Sequence, residues 1–165
     1  MEAELLRFPH KAIRAKVILQ YMLQNGIKKA VCYSCGNASR ALKMAGVDVL
    51  DISPDGDMVS QRWFQPSEIK KWFPDCLDAT SGHLSVELMA QVAQAYREYL
   101  FNLPKVNYVP TGSGETIVCL KMAFPEKKFV AVYDIDEATA WSAEAVLNDL
   151  VKAVADRVIY GGGNV

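Results

Sequence analysis

Residues 30 to 39 read Ala-Val-Cys-Tyr-Ser-Cys-Gly-Asn-Ala-Ser, and this stretch decides the fold. The first four residues are apolar, as in a short buried strand of a parallel sheet. Residues 34–37 form a polar turn that contains a glycine, and a helical pattern continues from residue 38 to residue 45, before Gly46. A buried strand that leads through a polar turn into a helix is the repeating unit of α/β proteins, so the stretch predicts that class.

The same alternation extends along the rest of the chain. Helices are predicted over residues 11–25, 84–100, 115–124 and 137–155, and strands over residues 47–52, 106–109, 129–133 and 158–160. Residues 57–83 carry several aromatic side chains but show no clear period. We therefore predict one α/β domain over residues 1–165, built on an open, mostly parallel sheet with helices on both faces.

Composition narrows the classes of function. The chain has 165 residues, a net charge of −1 and 51% hydrophobic residues, and this balance predicts no nucleic-acid partner. No apolar run reaches the roughly 18 residues of a membrane span, and the N-terminus lacks a signal-peptide pattern, so we expect no membrane partner. Four cysteines without a second close pair predict neither a disulfide framework nor a metal site. We expect a cytoplasmic protein.

A second polar loop follows the predicted strand at residues 106–109. It reads Thr-Gly-Ser-Gly-Glu-Thr over residues 111–116. Glycines at the start of a helix let backbone N–H groups face an anion, and many proteins bind phosphate in this way. The loop lacks the Gly-Lys-Ser/Thr of a Walker loop, and Val118 replaces the last glycine of the dinucleotide fingerprint. The alternative interpretation is a tight turn that caps a helix.

A lysine near the N-terminus connects the two loops. The chain reads Phe-Pro-His-Lys over residues 8–11, followed by a helix, a Gly-Ile-Lys turn, the apolar strand and Ser-Cys-Gly-Asn-Ala at residues 34–38. This order resembles the start of fold-type II pyridoxal-phosphate enzymes, the group of threonine synthase, cysteine synthase and the tryptophan synthase β-subunit. The spacing from Lys11 to Asn37 fits that pattern without a gap, and the glycine loop follows in the family's order. The resemblance implies a reduced tryptophan synthase β-like fold.

The resemblance also implies a role for each matching residue. Lys11 would form an aldimine with pyridoxal phosphate, which requires a neutral amine and so a pKa lowered by burial or by a nearby cation. Asn37 would hydrogen-bond the 3′ oxygen of the cofactor ring. The residues implied to bind the cofactor phosphate are Gly112, Ser113, Gly114, Glu115 and Thr116. The loop residues implied to receive the substrate carboxylate are Ser34, Gly36 and Ala38.

The activity implied by the resemblance is that of a lyase or transferase in amino-acid metabolism. The substrate would be a small amino acid, Lys11 would move its α-proton, and elimination or replacement would follow at the β or γ carbon. The chain also departs from the family, since Lys11 is followed by Ala-Ile and not by Asp-Arg. We expect a homodimer, with the aromatic stretch at residues 63–73 as the candidate contact.

Two other functions stay open at this point. A non-catalytic relic of the same fold would keep the loops and bind a small anion or a protein partner. A thiol redox protein would use Cys32 and Cys35, which form a C-x-x-C motif before a helix. That second function requires both thiols to be exposed, whereas the position of Cys32 on a strand predicts a buried side chain.

Overall fold

The computed structural model of the chain describes residues 9–33, 37–52, 66–133 and 147–161. The chain forms two compact units, residues 1–88 (unit 1) and residues 89–165 (unit 2), and each contains one three-stranded parallel sheet. The predicted α/β class with parallel strands is confirmed, while the sequence pattern did not indicate that the strands divide between two sheets. Predictions for residues 34–36 and 63–65 fall outside the described residues.

Unit 1 alternates helices with short strands. Its helices are α1 (Pro9–Asn25), α2 (Asn37–Ala45) and α3 (Pro66–Trp72), and its strands are β1 (Ala30–Cys32), β2 (Val49–Asp51) and β3 (Leu77–Asp78). Helix α4 (Val86–Tyr99) begins in unit 1 and continues into unit 2. Because α4 follows β3 after a short loop, unit 1 ends with a strand-to-helix step like the one from β1 to α2.

Strand β1 is the centre of the first sheet, in which the strand order is β2-β1-β3. Ala30 pairs with Val49 on one side and with Leu77 on the other, and every pairing is parallel. All three residues of β1 are fully buried. A central parallel strand is covered on both faces, which explains why this stretch is a continuous apolar run without alternation.

Helices α1 and α2 both end in a glycine with a left-handed backbone. Gly26 has φ +67° and Gly46 has φ +97°. The N–H groups of the following residues, Ile27 and Val47, donate to carbonyls five positions earlier at 2.9 and 3.0 Å, which is the Schellman pattern of helix ends. The helix ends predicted at these two glycines are therefore confirmed.

Unit 2 contains two successive strand–helix–strand steps, and both add their new strand on the same side of the sheet. Its elements in chain order are β4 (Val106–Pro110), α5 (Glu115–Ala123), β5 (Lys128–Val132), α6 (Asn148–Val154) and β6 (Arg157–Ile159). The strand order β4-β5-β6 is sequential and parallel. The core contains fully buried Ile117, Phe129 and Val151, one each from α5, β5 and α6. The helix predicted from residue 137 is observed from Asn148, and residues 134–146 are outside the described ranges.

Gly114 is the residue at which the loop after β4 turns into α5. Its φ of +92° lies in the left-handed region, which a side chain makes unfavourable. A Cβ at this position would lie 2.3 Å from Val151 Cγ2 of α6 and 3.5 Å from Leu147 Cβ. Backbone conformation and packing therefore both require glycine here. Neither requirement holds at Gly112, where no atom lies within 4 Å of a Cβ.

We predict that Gly114→Ala lowers the free energy of unfolding by at least about 2 kcal/mol, since it combines a left-handed residue with overpacking against α6. Gly112→Ala is the matched control, and its effect should stay within about 0.5 kcal/mol because the site is open. Urea denaturation followed by circular dichroism measures both values. Equal effects of the two substitutions would contradict the packing described here.

Candidate functional site

The chain reverses its direction of travel across the sheet of unit 1. It passes from β1 to β2 on one side and then returns to β3 on the other side of β1. In open parallel sheets, ligands bind in the crevice at the carboxyl ends of strands where such a reversal occurs. Residue Tyr33 follows β1 at this edge, and residues 79–83 follow β3. We refer to Tyr33 together with residues 78–83 as the switch edge.

Hydrogen bonds hold the two strand exits side by side. The N–H of Ala79 donates to the Val31 carbonyl at 2.8 Å, and the N–H of Tyr33 donates to the hydroxyl of Thr80 at 3.0 Å. Tyr33, Ala79 and Thr80 are all buried. Because a side-chain hydroxyl continues the ladder where the strands end, the loop after β3 is fixed against Tyr33.

Helix α1 reaches the switch edge through Arg14. The guanidinium group is buried, with 5% of the residue exposed, and its Nη2 donates to the Ala79 carbonyl at 2.8 Å. A buried cation is costly unless it is hydrogen-bonded, so this contact contributes to holding α1 in place. The first turns of α1 are thereby anchored to the residue that follows β3.

Lys11 lies one helical turn before Arg14 and is partly buried. Burial lowers the pKa of the Lys11 amine below its ordinary value, and the charge of the Arg14 guanidinium lowers it further. A lowered pKa increases the fraction of neutral amine near neutral pH, and only the neutral amine attacks a carbonyl. Burial and a nearby cation are the two causes that the sequence-based prediction for Lys11 required.

Two titratable side chains at the switch edge form a close pair. Asp78 is the last residue of β3, and its Oδ2 lies 2.7 Å from Nδ1 of His83. The other carboxylate oxygen of Asp78 accepts the N–H of Thr80 at 3.0 Å. Both carboxylate oxygens are therefore engaged, and the His83 ring is held by a hydrogen bond on one of its two nitrogens.

The glycine loop of unit 2 lies at the carboxyl end of β4. The N–H of Thr111 donates to the Val132 carbonyl at 2.8 Å, and its hydroxyl donates to the Val109 carbonyl at 2.7 Å. The hydroxyl of Ser113 accepts the N–H of Glu115 at 3.3 Å, as in a Ser/Thr turn, and the N-cap position is held by Gly114 without a side-chain cap hydrogen bond. These contacts support the part of the alternative interpretation that describes the loop as a tight turn before α5.

Two features of this loop bear on anion binding. Gly112 is exposed and no atom lies within 4 Å of a Cβ built there, so the fold itself does not require a glycine. Glu115, the first residue of α5, is buried with 1% exposure. A buried carboxylate is poorly screened by water, so a charged Glu115 would disfavour an anion bound close to it.

The predicted site residues divide between the two units. Lys11, Asn37 and Ala38 belong to unit 1, in which α1 packs against α2, the helix that begins at Asn37. Residues 112–116 belong to unit 2. Ser34, Gly36 and the side chain of Asn37 lie outside the described residues. Near the start of α2, the Ser39 hydroxyl is buried without a hydrogen-bond partner among the described residues.

The sequence-based reasoning missed the polar residues of the switch edge. Arg14 gave no signal, because arginines on helices are usually exposed. Asp78, Thr80 and His83 fall in the stretch without a clear period, because β3 has only two residues. The run Asp-Ala-Thr-Ser-Gly-His at residues 78–83 has the composition of a polar loop before a helix and was the one usable signal.

Cys32 is fully buried, and its Sγ lies 3.9 Å from the Ala79 carbonyl. The predicted packing of this side chain as a small hydrophobe is confirmed. The thiol redox function required exposed thiols at both Cys32 and Cys35, so its premise fails at Cys32. Within the described ranges, no group of three or more His, Cys, Asp or Glu side chains is placed to bind a metal ion.

No helix in the described part of the chain combines the length and the apolar character needed to cross a membrane. The fold and the site define an α/β protein with a partly buried lysine beside a polar strand edge in unit 1 and a glycine loop in unit 2. No model of a known protein family matches the chain, and no curated protein matches it. The relation to fold-type II enzymes therefore stays a prediction from sequence motifs.

We predict that Arg14→Met raises the pKa of the Lys11 amine toward its ordinary value, because the neighbouring positive charge is removed. The pKa should stay below the ordinary value, since burial is its larger cause. Arg14→Lys keeps a positive charge and should leave the Lys11 pKa lowered. Titration of ¹³C-methylated lysines by NMR measures the values. Equal Lys11 pKa values in the two variants would contradict the role of the charge.

Proposed function

We propose that this chain binds pyridoxal phosphate through Lys11 and acts on a small amino acid. The observation that carries the proposal is the environment of Lys11, a partly buried amine whose pKa is lowered by burial and by Arg14. Lysines with a lowered pKa are those that act as nucleophiles toward carbonyl groups. The position of Lys11 in a motif that resembles fold-type II enzymes selects pyridoxal phosphate among carbonyl compounds.

The glycine loop of unit 2, taken by itself, has features that would suit a phosphate group. Gly112 leaves the backbone open to close approach, and the loop leads into the N-terminus of α5, which favours an anion. Ser113 and Thr116 add hydroxyl groups at the same turn. The buried Glu115 carboxylate is the feature that favours anion binding least.

The chain's own residues have separate tasks in this proposal. When bound, the cofactor supplies an electron sink for the amino acid. Lys11 holds the cofactor and moves the proton at the α-carbon, which its lowered pKa favours. The charge of Arg14 contributes to the lowered pKa of Lys11, and its hydrogen bond to the Ala79 carbonyl anchors α1 to the switch edge. The N-terminus of α2 offers a favourable place for the substrate carboxylate, and nearby lies the Ser39 hydroxyl, which has no hydrogen-bond partner among the residues that the structure describes.

The second candidate function is a non-catalytic protein of the same fold that binds a small anion. The contacts of the loop after β4 favour it, because Gly114 and Ser113 already serve the turn and the start of α5. Such a protein would bind inorganic phosphate at Gly112 and would form no covalent bond to a carbonyl compound. Phosphate binding in a calorimetric titration, combined with no covalent bond at Lys11, would therefore favour this second function.

We predict that the purified protein with added pyridoxal phosphate shows a visible absorbance band that borohydride bleaches. Lys11→Ala should abolish the band, because the attacking amine is removed. Lys16→Ala is the matched control, since Lys16 is an exposed lysine of the same helix, and it should leave the band unchanged. A flat spectrum at millimolar cofactor, or a band that survives in Lys11→Ala, would reject the proposed function.

We also predict that Gly112→Ala weakens the binding of inorganic phosphate about tenfold, which corresponds to about 1.4 kcal/mol. The reason is that a methyl group would occupy the space in which the phosphate approaches the backbone. Calorimetric titration with inorganic phosphate measures the affinity. The unchanged stability expected for this variant excludes misfolding as the cause, and an unchanged affinity would remove the phosphate from this loop.

A further inference from the structure

Strand β4 lies at the edge of the sheet of unit 2. The strand order is β4-β5-β6, so β5 is the neighbour of β4 within the described residues. The Lys105 carbonyl accepts the Lys128 N–H at 2.8 Å, and the Thr111 N–H donates to the Val132 carbonyl at 2.8 Å. In a parallel ladder every second residue of a strand bonds to the same neighbour. The backbone groups of residues 106, 108 and 110 therefore point away from β5.

Two prolines limit this open edge to two residues. Pro110 ends β4, Pro104 lies two positions before its first residue, and neither has a backbone N–H. The Pro104 carbonyl is already occupied, since the Asn107 side chain donates to it at 2.8 Å. The outward N–H and C=O groups of Val106 and Tyr108 meet no hydrogen-bond partner in the part of the chain that the structure describes. Between the prolines, the edge thus offers two residues that can both donate and accept.

The side chains around this edge are apolar and exposed. Val106 and Tyr108 are 44% and 53% exposed, and Pro110 on the same face of the strand is exposed as well. Tyr99, the last residue of α4, and Phe101 after it are 60% and 71% exposed. Aromatic residues are enriched in protein interfaces. A strand edge that combines free backbone groups with exposed apolar side chains is a surface to which another strand can pair.

The edge is complementary to itself. When two copies of β4 lie antiparallel with Asn107 opposite Asn107, Val106 of each copy is opposite Tyr108 of the other. Each such pair exchanges both of its N–H···O bonds, so every outward donor and acceptor of the two residues is used. A register that placed Val106 opposite Val106, or Tyr108 opposite Tyr108, would put a proline opposite the remaining residue and leave its carbonyl without a donor. The sequence of β4 therefore selects one register.

The side chains favour the same register. Val106 of one copy lies beside Tyr108 of the other on the exposed face, and a β-branched residue beside an aromatic ring is a stabilising cross-strand pair. Lys105 of one copy lies four positions along the strand from Lys105 of the other, which is roughly 14 Å. This distance exceeds the Debye length of about 8 Å at physiological ionic strength, so the like charges do not oppose the pairing.

We propose that two copies of this chain join through β4 and form one six-stranded sheet from their two three-stranded sheets. The occupant of the edge is a second copy, paired antiparallel over residues 106–108 with Asn107 at the two-fold axis. Such an interface is isologous and closes after two copies, because it uses the same edge of both. The pairing lies within unit 2 and goes beyond the proposed function, since it requires neither the cofactor nor Lys11.

Sedimentation equilibrium of the full chain over a wide range of concentrations measures the dimer. Val106→Pro is the informative variant, because it removes an outward N–H and keeps the ladder to β5, and edge strands accept proline at such positions. We expect it to weaken the dimer at least about tenfold, since two of the four hydrogen bonds between the copies are lost. Val106→Thr keeps the N–H and the β-branched shape, so this matched control should change the affinity less than about threefold. The far-ultraviolet circular dichroism of the three proteins should agree.

A disulfide tests the register and does not depend on the proline variant. Asn107→Cys places two sulfurs on directly opposite residues, whose Cα atoms lie about 4.5 Å apart in such a pair and so within disulfide range. Under mild oxidation this variant should form more covalent dimer than the wild type, which has four cysteines of its own. Pro110→Cys is the control, because its two copies would lie six positions apart along the strand, roughly 20 Å, and should link no more than the wild type.

Each other outcome contradicts the proposal in its own way. A chain that sediments as a monomer at every concentration would reject the second copy and leave the edge to an extended peptide of another protein. A dimer that Val106→Pro leaves intact, or equal linking through Asn107→Cys and Pro110→Cys, would place the contact elsewhere, for example at the predicted residues 63–73. Oligomers that keep growing with concentration would exclude a closed pair. The cofactor spectrum enters none of these results, so failure of the proposed function and failure of this pairing are distinguished.

Discussion

The hydrogen bond from the buried Arg14 guanidinium to the Ala79 carbonyl is the contact on which the site of unit 1 depends. It joins the first helix to the end of the last strand of its sheet, and it places a positive charge near Lys11. A buried cation without hydrogen bonds costs several kcal/mol, so α1 is held where this bond can form. Arg14 therefore contributes both to the position of α1 and to the lowered pKa of Lys11.

Around this contact, the topology of the sheet determines which loops can meet a ligand. With β1 in the centre, the chain leaves β1 toward one side and returns by β3 on the other. The hydroxyl of Thr80 then continues the ladder beyond the strands by accepting the Tyr33 N–H. The edge thus carries polar groups that are fixed by backbone contacts, a property of sites that must hold a ligand in one orientation.

In the glycine loop of unit 2, the fold requires a glycine at one position, Gly114, but not at Gly112. Gly114 is needed for the turn into α5, because its φ is positive and α6 leaves no room for a Cβ. Gly112 meets no such demand, since its surroundings are open. The proposed phosphate site can therefore be tested at Gly112 without disturbing the fold.

Much of the architecture could be read from local pattern, because it depends on local rules. The apolar run of β1, the Schellman glycines Gly26 and Gly46, and the alternation of strands and helices determined the α/β class and the parallel pairing. The lysine and the glycine loop could be picked out by their order along the chain. The tertiary structure decided the rest, namely the division into two sheets, the burial of Arg14, the lowered pKa of Lys11 and the pairing of Asp78 with His83. These depend on which distant residues pack together, and a two-residue strand such as β3 leaves no period from which that packing could be predicted.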